Sequence, residues 1–171
     1  MTLAVNALFM QLYLLYSHFM DGFAYAGEAL VGKYAGAADK RSLRRCVSHL
    51  FAWGWSLAAI FAFAYGVFNH EVMSLFSDKP EVVAFAAAYR WWIALAPIAG
   101  MAAFIWDGVF VGLTATRQML LSLAGATAVY FTIYFLFPLA DANDCLWTAF
   151  LAYLAVRGVI LCFCFARENR Y

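Results

Sequence analysis

Residues 50–68 read LFAWGWSLAAIFAFAYGVF, nineteen consecutive positions without a charged side chain. A run of about 18 or more such residues is long enough to cross the hydrocarbon of a bilayer as a helix. Inside lipid every backbone N–H and C=O must be satisfied internally, which leaves only helices and closed barrels. Barrel strands alternate apolar and polar residues over about ten positions, and this run does not alternate. The expected fold class is therefore all-α, a polytopic transmembrane helix bundle.

The remainder of the chain supports that expectation. Of its 171 residues 67% are hydrophobic and 12% charged, against about 45–50% and about 25% in a soluble domain. A soluble fold of this size has too little interior to hide so much apolar surface. Five segments reach spanning length, at 3–35, 46–76, 82–115, 118–138 and 145–166. The first three exceed the hydrocarbon thickness and are expected to tilt, kink or project beyond it. Pro97 and Gly100 mark a kink in the third. The apolar runs make the lipid bilayer the partner, and a net charge of +1 suggests no nucleic acid. The cysteines, Cys46, Cys145, Cys162 and Cys164, lie at or within apolar runs with no CxxC pair. They read as small buried hydrophobes, so no metal site or cofactor is expected. The first run has no basic leader and no small-residue cleavage site before Asp21, unlike a signal peptide.

Charges between the segments alternate in sign. Lys33, Lys40, Arg41, Arg44 and Arg45 lie in or beside the first connection; Glu71, Asp78, Lys79 and Glu81 surround the second. Arg117 follows the third, Asp141 and Asp144 lie at the fourth, and Arg167 and Arg170 end the chain. The positive-inside rule places the first and third connections and the C-terminus in the cytoplasm. The N-terminus then lies outside, with nothing in the sequence to export it, so at least one preceding helix is expected to be missing.

Charges at membrane depth cost on the order of 2.5–3.5 kcal/mol each on insertion scales, so they face the bundle or water. In the first segment Gln11, His18, Asp21, Tyr25, Glu28 and Gly32 recur at three, four and seven, which sets them on one helix face. That stripe is expected to point inward or at a cavity, away from Leu14, Leu15, Phe19, Phe23 and Leu30. Asp107 and Arg157 are two further deep charges. Counted from the cytoplasmic ends at 1.5 Å per residue, Glu28, Asp107 and Arg157 fall about 10–14 Å deep in one layer. Arg157 is thus expected to pair with Asp107, Glu28 or both. As structure, such a pair locks a bundle, because removing one partner strands a charge. As function, three acids facing one fixed cation leave a carboxylate free for a proton or Na⁺. An acid away from Arg157 carries a proton better, and by depth that acid is Asp21.

Other residues read more plainly. His49 and His70 are interfacial or solvated, Trp91 and Trp92 fit an aromatic belt, and Ala124–Ala126 and Gly32–Gly36 permit close helix packing. The Arg41–Arg45 cluster sets topology first and touches anionic lipid second.

The run AGEALVGKYAGAADKRSLRR at 26–45 resembles a signature of the MATE (multidrug and toxin extrusion) family, a small-residue helix entering a turn and a basic loop. LFSDKPEVVAFAAAYRWWIALAPIAG at 75–100 resembles the next landmark of that family, an outer connection followed by a proline-bearing helix. WDGVFVGLTATRQM and DGFAYAGEALVG look most like its DinF-type branch. The resemblance implies helices eight to twelve of a twelve-helix exporter, most of one six-helix lobe, so that 1–171 is a single, incomplete C-terminal lobe in a bacterial plasma (inner) membrane. It implies partners in the missing N-terminal lobe and in small-molecule organic cations or amphipathic drugs, exchanged for H⁺ or Na⁺. The family's coupling Asp on its first helix and acidic ligand on its seventh fall outside this chain. The tenth-helix Asp of the sodium branch aligns near Gly100 rather than Asp107, so its role is not carried over.

The leading expectation is a drug/cation antiporter component working by alternating access. Asp21, Glu28, Asp107, His18 and Tyr25 are its coupling or substrate residues, and Arg157 their charge partner. A non-transporting remnant or accessory membrane module is the first alternative, and a flippase for lipid-linked sugars the second. Catalysis is not expected, since HExxH, GxSxG and GxGD motifs are all absent.

Overall fold

The computed structural model describes residues 2–136 and 141–167. They form six helices, α1 (Thr2–Gly36), α2 (Lys40–Val67), α3 (Asn69–Phe76), α4 (Pro80–Gly112), α5 (Thr116–Leu136) and α6 (Ala142–Arg167). All but α3 are long and apolar enough to cross a membrane. The chain is an all-α, multi-pass membrane protein. Phe137, Pro138 and Arg170 lie outside the described residues.

The segment expected as one helix over 46–76 is two. It starts earlier, at Lys40, so the basic cluster forms the first turns of α2, and it breaks at Phe68. The Phe68 N–H still bonds the Ala64 carbonyl and Val72 bonds back to Phe68, so the chain turns with little loss of backbone pairing. The earlier start fits the good helix propensity of Lys and Arg, and Gly66 stands two residues before the break.

α4 is apolar on all sides and buries 15 of its 33 residues, as a helix at the centre of a bundle must. It packs against every other helix. α2 shows only one face to it, with Leu43, Val47, Leu50, Gly54, Ala58 and Tyr65 buried at spacings of three, four and seven. α5 buries only Ser122 and Ala126 and pairs chiefly with α6.

Glycines set the closest contacts. A Cβ on Gly108 would overlap the carbonyl oxygen of Ala24, and one on Gly112 would stand 2.6 Å from the Glu28 carbonyl oxygen. Gly108 and Gly112 are four residues apart in GVFVG, a spacing that lets two helix backbones meet. Gly158 does the same for α6, where a Cβ would come 2.8 Å from that of Ala102.

These contacts also show direction. Tyr16 bonds the Pro97 carbonyl, Ala24 meets Gly108, and Glu28 and Gly32 meet Gly112, so α1 and α4 run the same way. Tyr89 bonds Asp141, Trp92 bonds Asp144, and Asp107 bonds Arg157 further along, so α6 runs with them. α1, α4 and α6 are parallel, as alternate spans of one up-and-down chain must be. Lys33, Lys40, Arg41, Arg117 and Arg167 consequently gather at one end of the bundle, with Glu71, Glu81, Asp141 and Asp144 at the other.

α4 continues as a single helix through Pro97. Proline has no N–H to give the carbonyl four residues back. The Tyr16 hydroxyl donates to Pro97's own carbonyl at 3.0 Å, and Tyr65 donates to the Leu12 carbonyl at 2.8 Å, tying α1 to α4 and α2 near mid-helix.

At the basic end, α1 and α4 stop in the same way. Ala38 and Thr114 take left-handed backbone angles, φ 54° and 55°. Asp39 N–H bonds back to Tyr34 and Ala115 N–H back to Phe110, closing the helix ends in the manner of a Schellman turn. Asp39 then caps α2 by accepting the Ser42 N–H at 3.0 Å. The Ser42 hydrogen bonds hold the exposed Asp39 carboxyl below the usual carboxylate range.

Candidate functional site

Arg157 and Asp107 form an ion pair between α4 and α6. One guanidinium nitrogen, Nη2, lies 2.7 Å from Asp107 Oδ2 and 2.9 Å from Oδ1. The two side chains remain 21% and 24% exposed, so the pair is partly open rather than sealed in the core. The Arg157 Nε is buried without a hydrogen-bond partner among the described residues, which leaves one more donor of the guanidinium to be satisfied.

Helix packing places the pair. Gly108 brings α4 against Ala24, and Gly158 brings α6 against Ala102 and Ala103. The residues beside these glycines, Asp107 and Arg157, are thereby drawn together across the α4–α6 seam. Asp21, one turn before Ala24, lies within electrostatic reach of Asp107. Tyr13 lies within reach of Asp21, Asp107, Arg157 and Tyr153 together. Tyr13 also stacks edge-on against Phe150 at 5.2 Å and contacts Phe104 at 6.4 Å between ring centroids. The site thus combines the Asp107–Arg157 pair, Asp21 at the same level on α1, and an aromatic wall of Tyr13, Phe104, Phe150 and Tyr153.

The layer expected to hold Glu28, Asp107 and Arg157 is corrected. The α1 residues level with Asp107 are Asp21 to Ala24, while Glu28 lies level with Gly112, about one turn nearer the basic end. Counting inward from helix ends failed because the ends are not coplanar: α4 stops at Gly112 while α1 runs to Gly36. Arg157 pairs with Asp107 alone, and among the described residues Glu28 makes no ion pair. Asp21, expected to stand apart from Arg157, lies level with Asp107 and makes no ion pair among the described residues.

The stripe on α1 holds together as one face but does not point into this bundle. Gln11, His18 and Tyr25 are exposed, and Asp21, Glu28 and Gly32 are half-buried at its edge. Tyr25 is 70% exposed, and His18 only bonds back to the Leu14 carbonyl, at 2.5 Å. The packed face carries Val5, Phe9, Leu12, Tyr16, Met20, Gly27 and Val31. Periodicity defines the faces of a helix, but which face is buried depends on the neighbours, here on where α2 and α4 arrive. The stripe runs along the side of α1 turned from α2. Its acidic edge, at Asp21, lies level with Asp107.

α1 and α6 are joined at the acidic end. Asn6 donates from Nδ2 to Asn143 Oδ1 at 2.6 Å, and the Trp147 indole donates to Asn6 Oδ1 at 3.0 Å. Sequence reasoning missed this clasp and the aromatic wall. The i, i+8 spacing of Tyr13 and Asp21 was the available signal for the wall. Nothing local linked Asn6 to residues 137 positions away. Gly100, expected at a kink, lies beside the wall, where a Cβ would stand 3.5 Å from Leu154 and 3.7 Å from the Tyr13 hydroxyl.

The family model described as MatE matches residues 1–137, from α1 through α5. The DNA damage-inducible protein F of Escherichia coli (strain K12) is 30% identical over 168 residues. That match covers 98% of this chain and 36% of the relative, so the chain spans little more than a third of that protein's length. No solved structure matches.

Proposed function

The chain belongs to the MatE family, and from that premise we propose that it serves in a secondary active efflux transporter, as most of the second lobe. The lobe would export amphipathic organic compounds, cationic ones above all, in exchange for H⁺ or Na⁺. The observation that carries the reading is the charge balance of this partly exposed site. Asp107 pairs with Arg157, while Asp21, level with Asp107 on α1, and Glu28, a turn away, make no ion pair among the described residues. A site with more carboxylates than fixed cations takes up a proton or another cation to avoid net charge at membrane depth. Asp107 is the acid committed to Arg157. Asp21 and Glu28 are the exchangeable ones, with His18 and Tyr25 further along the same face.

The aromatic wall beside the charges suits a flat, cationic, amphipathic ligand, through apolar contact and cation–π attraction. Alternate protonation and ligand binding at the acids would bias rocking of this lobe against a facing one. The basic end of the bundle is read as cytoplasmic on the positive-inside rule, with the protein in a bacterial plasma (inner) membrane.

The test is efflux of a fluorescent organic cation from everted vesicles under a pH gradient or a sodium gradient. Asp21→Asn and Glu28→Gln should each lower transport at least several-fold, and the gradient that supports it names the coupling ion. Unchanged efflux in both variants sinks the proposal.

A further inference from the structure

α1 and α2 diverge on the side opposite the polar stripe and leave an open cavity of about 490 Å³, within the range of small-ligand sites. Its lining is graded along the helices. Tyr34, Arg45 and His49 stand toward the basic end, and Phe23, Leu30 and Trp53 stand deeper. Neither the charged site nor its aromatic wall contributes to it.

That gradient has the polarity of one molecule, an anionic headgroup followed by an acyl chain. The surrounding charge agrees with it. Lys33, Lys40, Arg41 and Arg44 lie within the adjoining turns of α1 and α2, against one acid, Asp39, which is engaged by Ser42. Arg45 projects on the cavity side of this cluster. Cationic groups at the rim of a bilayer attract anionic lipid, at about 1 kcal/mol per Lys or Arg near the surface. The cation at the mouth opposes an organic cation as occupant, so the cavity is not a second copy of the efflux site. We propose that the α1–α2 cavity is a binding site for an anionic phospholipid, the phosphate held at Arg45 with Tyr34 and His49, and one acyl chain laid against Leu30 and Trp53. Only the assignment of this site to the cytoplasmic leaflet rests on the orientation proposed above; the binding does not.

The protein, reconstituted in nanodiscs of phosphatidylcholine and phosphatidylglycerol at 3:1 and released into mild detergent, is weighed by native mass spectrometry. Wild type should retain about one phosphatidylglycerol in preference to phosphatidylcholine. Arg45→Gln should reduce that retention at least fivefold, Arg45→Lys should keep most of it, and Leu30→Trp, which fills the deep end, should reduce it too. Arg41→Gln removes the same charge outside the cavity and should leave retention unchanged, and millimolar inorganic phosphate should not displace the lipid. Equal retention of both lipids overturns the proposal, as does equal loss in Arg41→Gln and Arg45→Gln, which would mean diffuse attraction. Displacement by inorganic phosphate also overturns it. Helicity and monodispersity of each variant confirm that the fold is intact, and efflux is not part of the readout, so the two proposals fail separately.

Discussion

A single nitrogen of Arg157 contacts both carboxylate oxygens of Asp107, at 2.7 and 2.9 Å, across the seam between two parallel helices. The geometry leaves the rest of the guanidinium turned from Asp107, and its Nε has no partner among the described residues. The pair therefore ties α4 to α6 without exhausting the donors of the arginine. Asp21, on a third parallel helix, lies level with Asp107.

Removing one partner of this pair should cost more than the loss of a surface bridge. Fully buried pairs lose about 3–5 kcal/mol and exposed ones about 0–1 kcal/mol. With roughly a fifth to a quarter of each side chain exposed, Asp107→Asn should cost about 2 kcal/mol. The double variant Asp107→Leu with Arg157→Met should recover most of that in detergent unfolding. A double variant no more stable than the worse single one would show that the charges were not coupled.

Gly108→Ala should be strongly destabilising, because the added methyl overlaps the Ala24 carbonyl and α1 must move off α4. Overpacking of this kind costs about 1–3 kcal/mol. Gly22 has nothing within 4 Å of an added Cβ, so Gly22→Ala should be neutral or stabilising by up to about 1 kcal/mol. Melting temperatures of the two variants in one detergent separate a crowding effect from a general preference for alanine in helices.

Thr114 holds φ 55°, a left-handed backbone that is costly for a β-branched residue. Thr114→Gly should therefore stabilise the α4–α5 turn by about 1 kcal/mol, although it gives up the hydroxyl bond to the Leu113 carbonyl. Chemical unfolding of the variant checks the sign. A loss of stability would mean that the hydroxyl outweighs the strain.

The cap of α2 should titrate. Hydrogen bonds from Ser42 lower the pKa of Asp39 in the fold, so folding favours its ionised form. Its contribution is complete above the unfolded value near 3.9 and is lost as pH falls through the lower folded value. Asp39→Asn keeps a capping oxygen but cannot titrate. Wild type should lose stability relative to Asp39→Asn as the pH falls below about 4, and Asp39→Ala should be the least stable of the three at neutral pH. Parallel unfolding curves across that range for wild type and Asp39→Asn would refute the assignment.

The sequence by itself determined that the chain crosses a membrane, where its long helices lie and that they alternate in direction. Those features follow from run length, the need to satisfy the backbone in lipid, and the sign of the charges between segments. It also pointed to Arg157 and Asp107 as partners, because a lone charge at that depth is too costly to leave unpaired. Only the tertiary structure decided the height of α1 against α4, and with it that Asp21 rather than Glu28 lies level with the pair. The contact of Gly108 with Ala24 controls that register. It joins positions 84 residues apart by backbone proximity, which local periodicity does not encode. The same holds for the face of α1 that is buried. Gln11, His18, Asp21 and Tyr25 are one stripe in any helix, but α2 and α4 cover the face of Tyr16, Met20 and Gly27 and leave that stripe at the edge of the bundle.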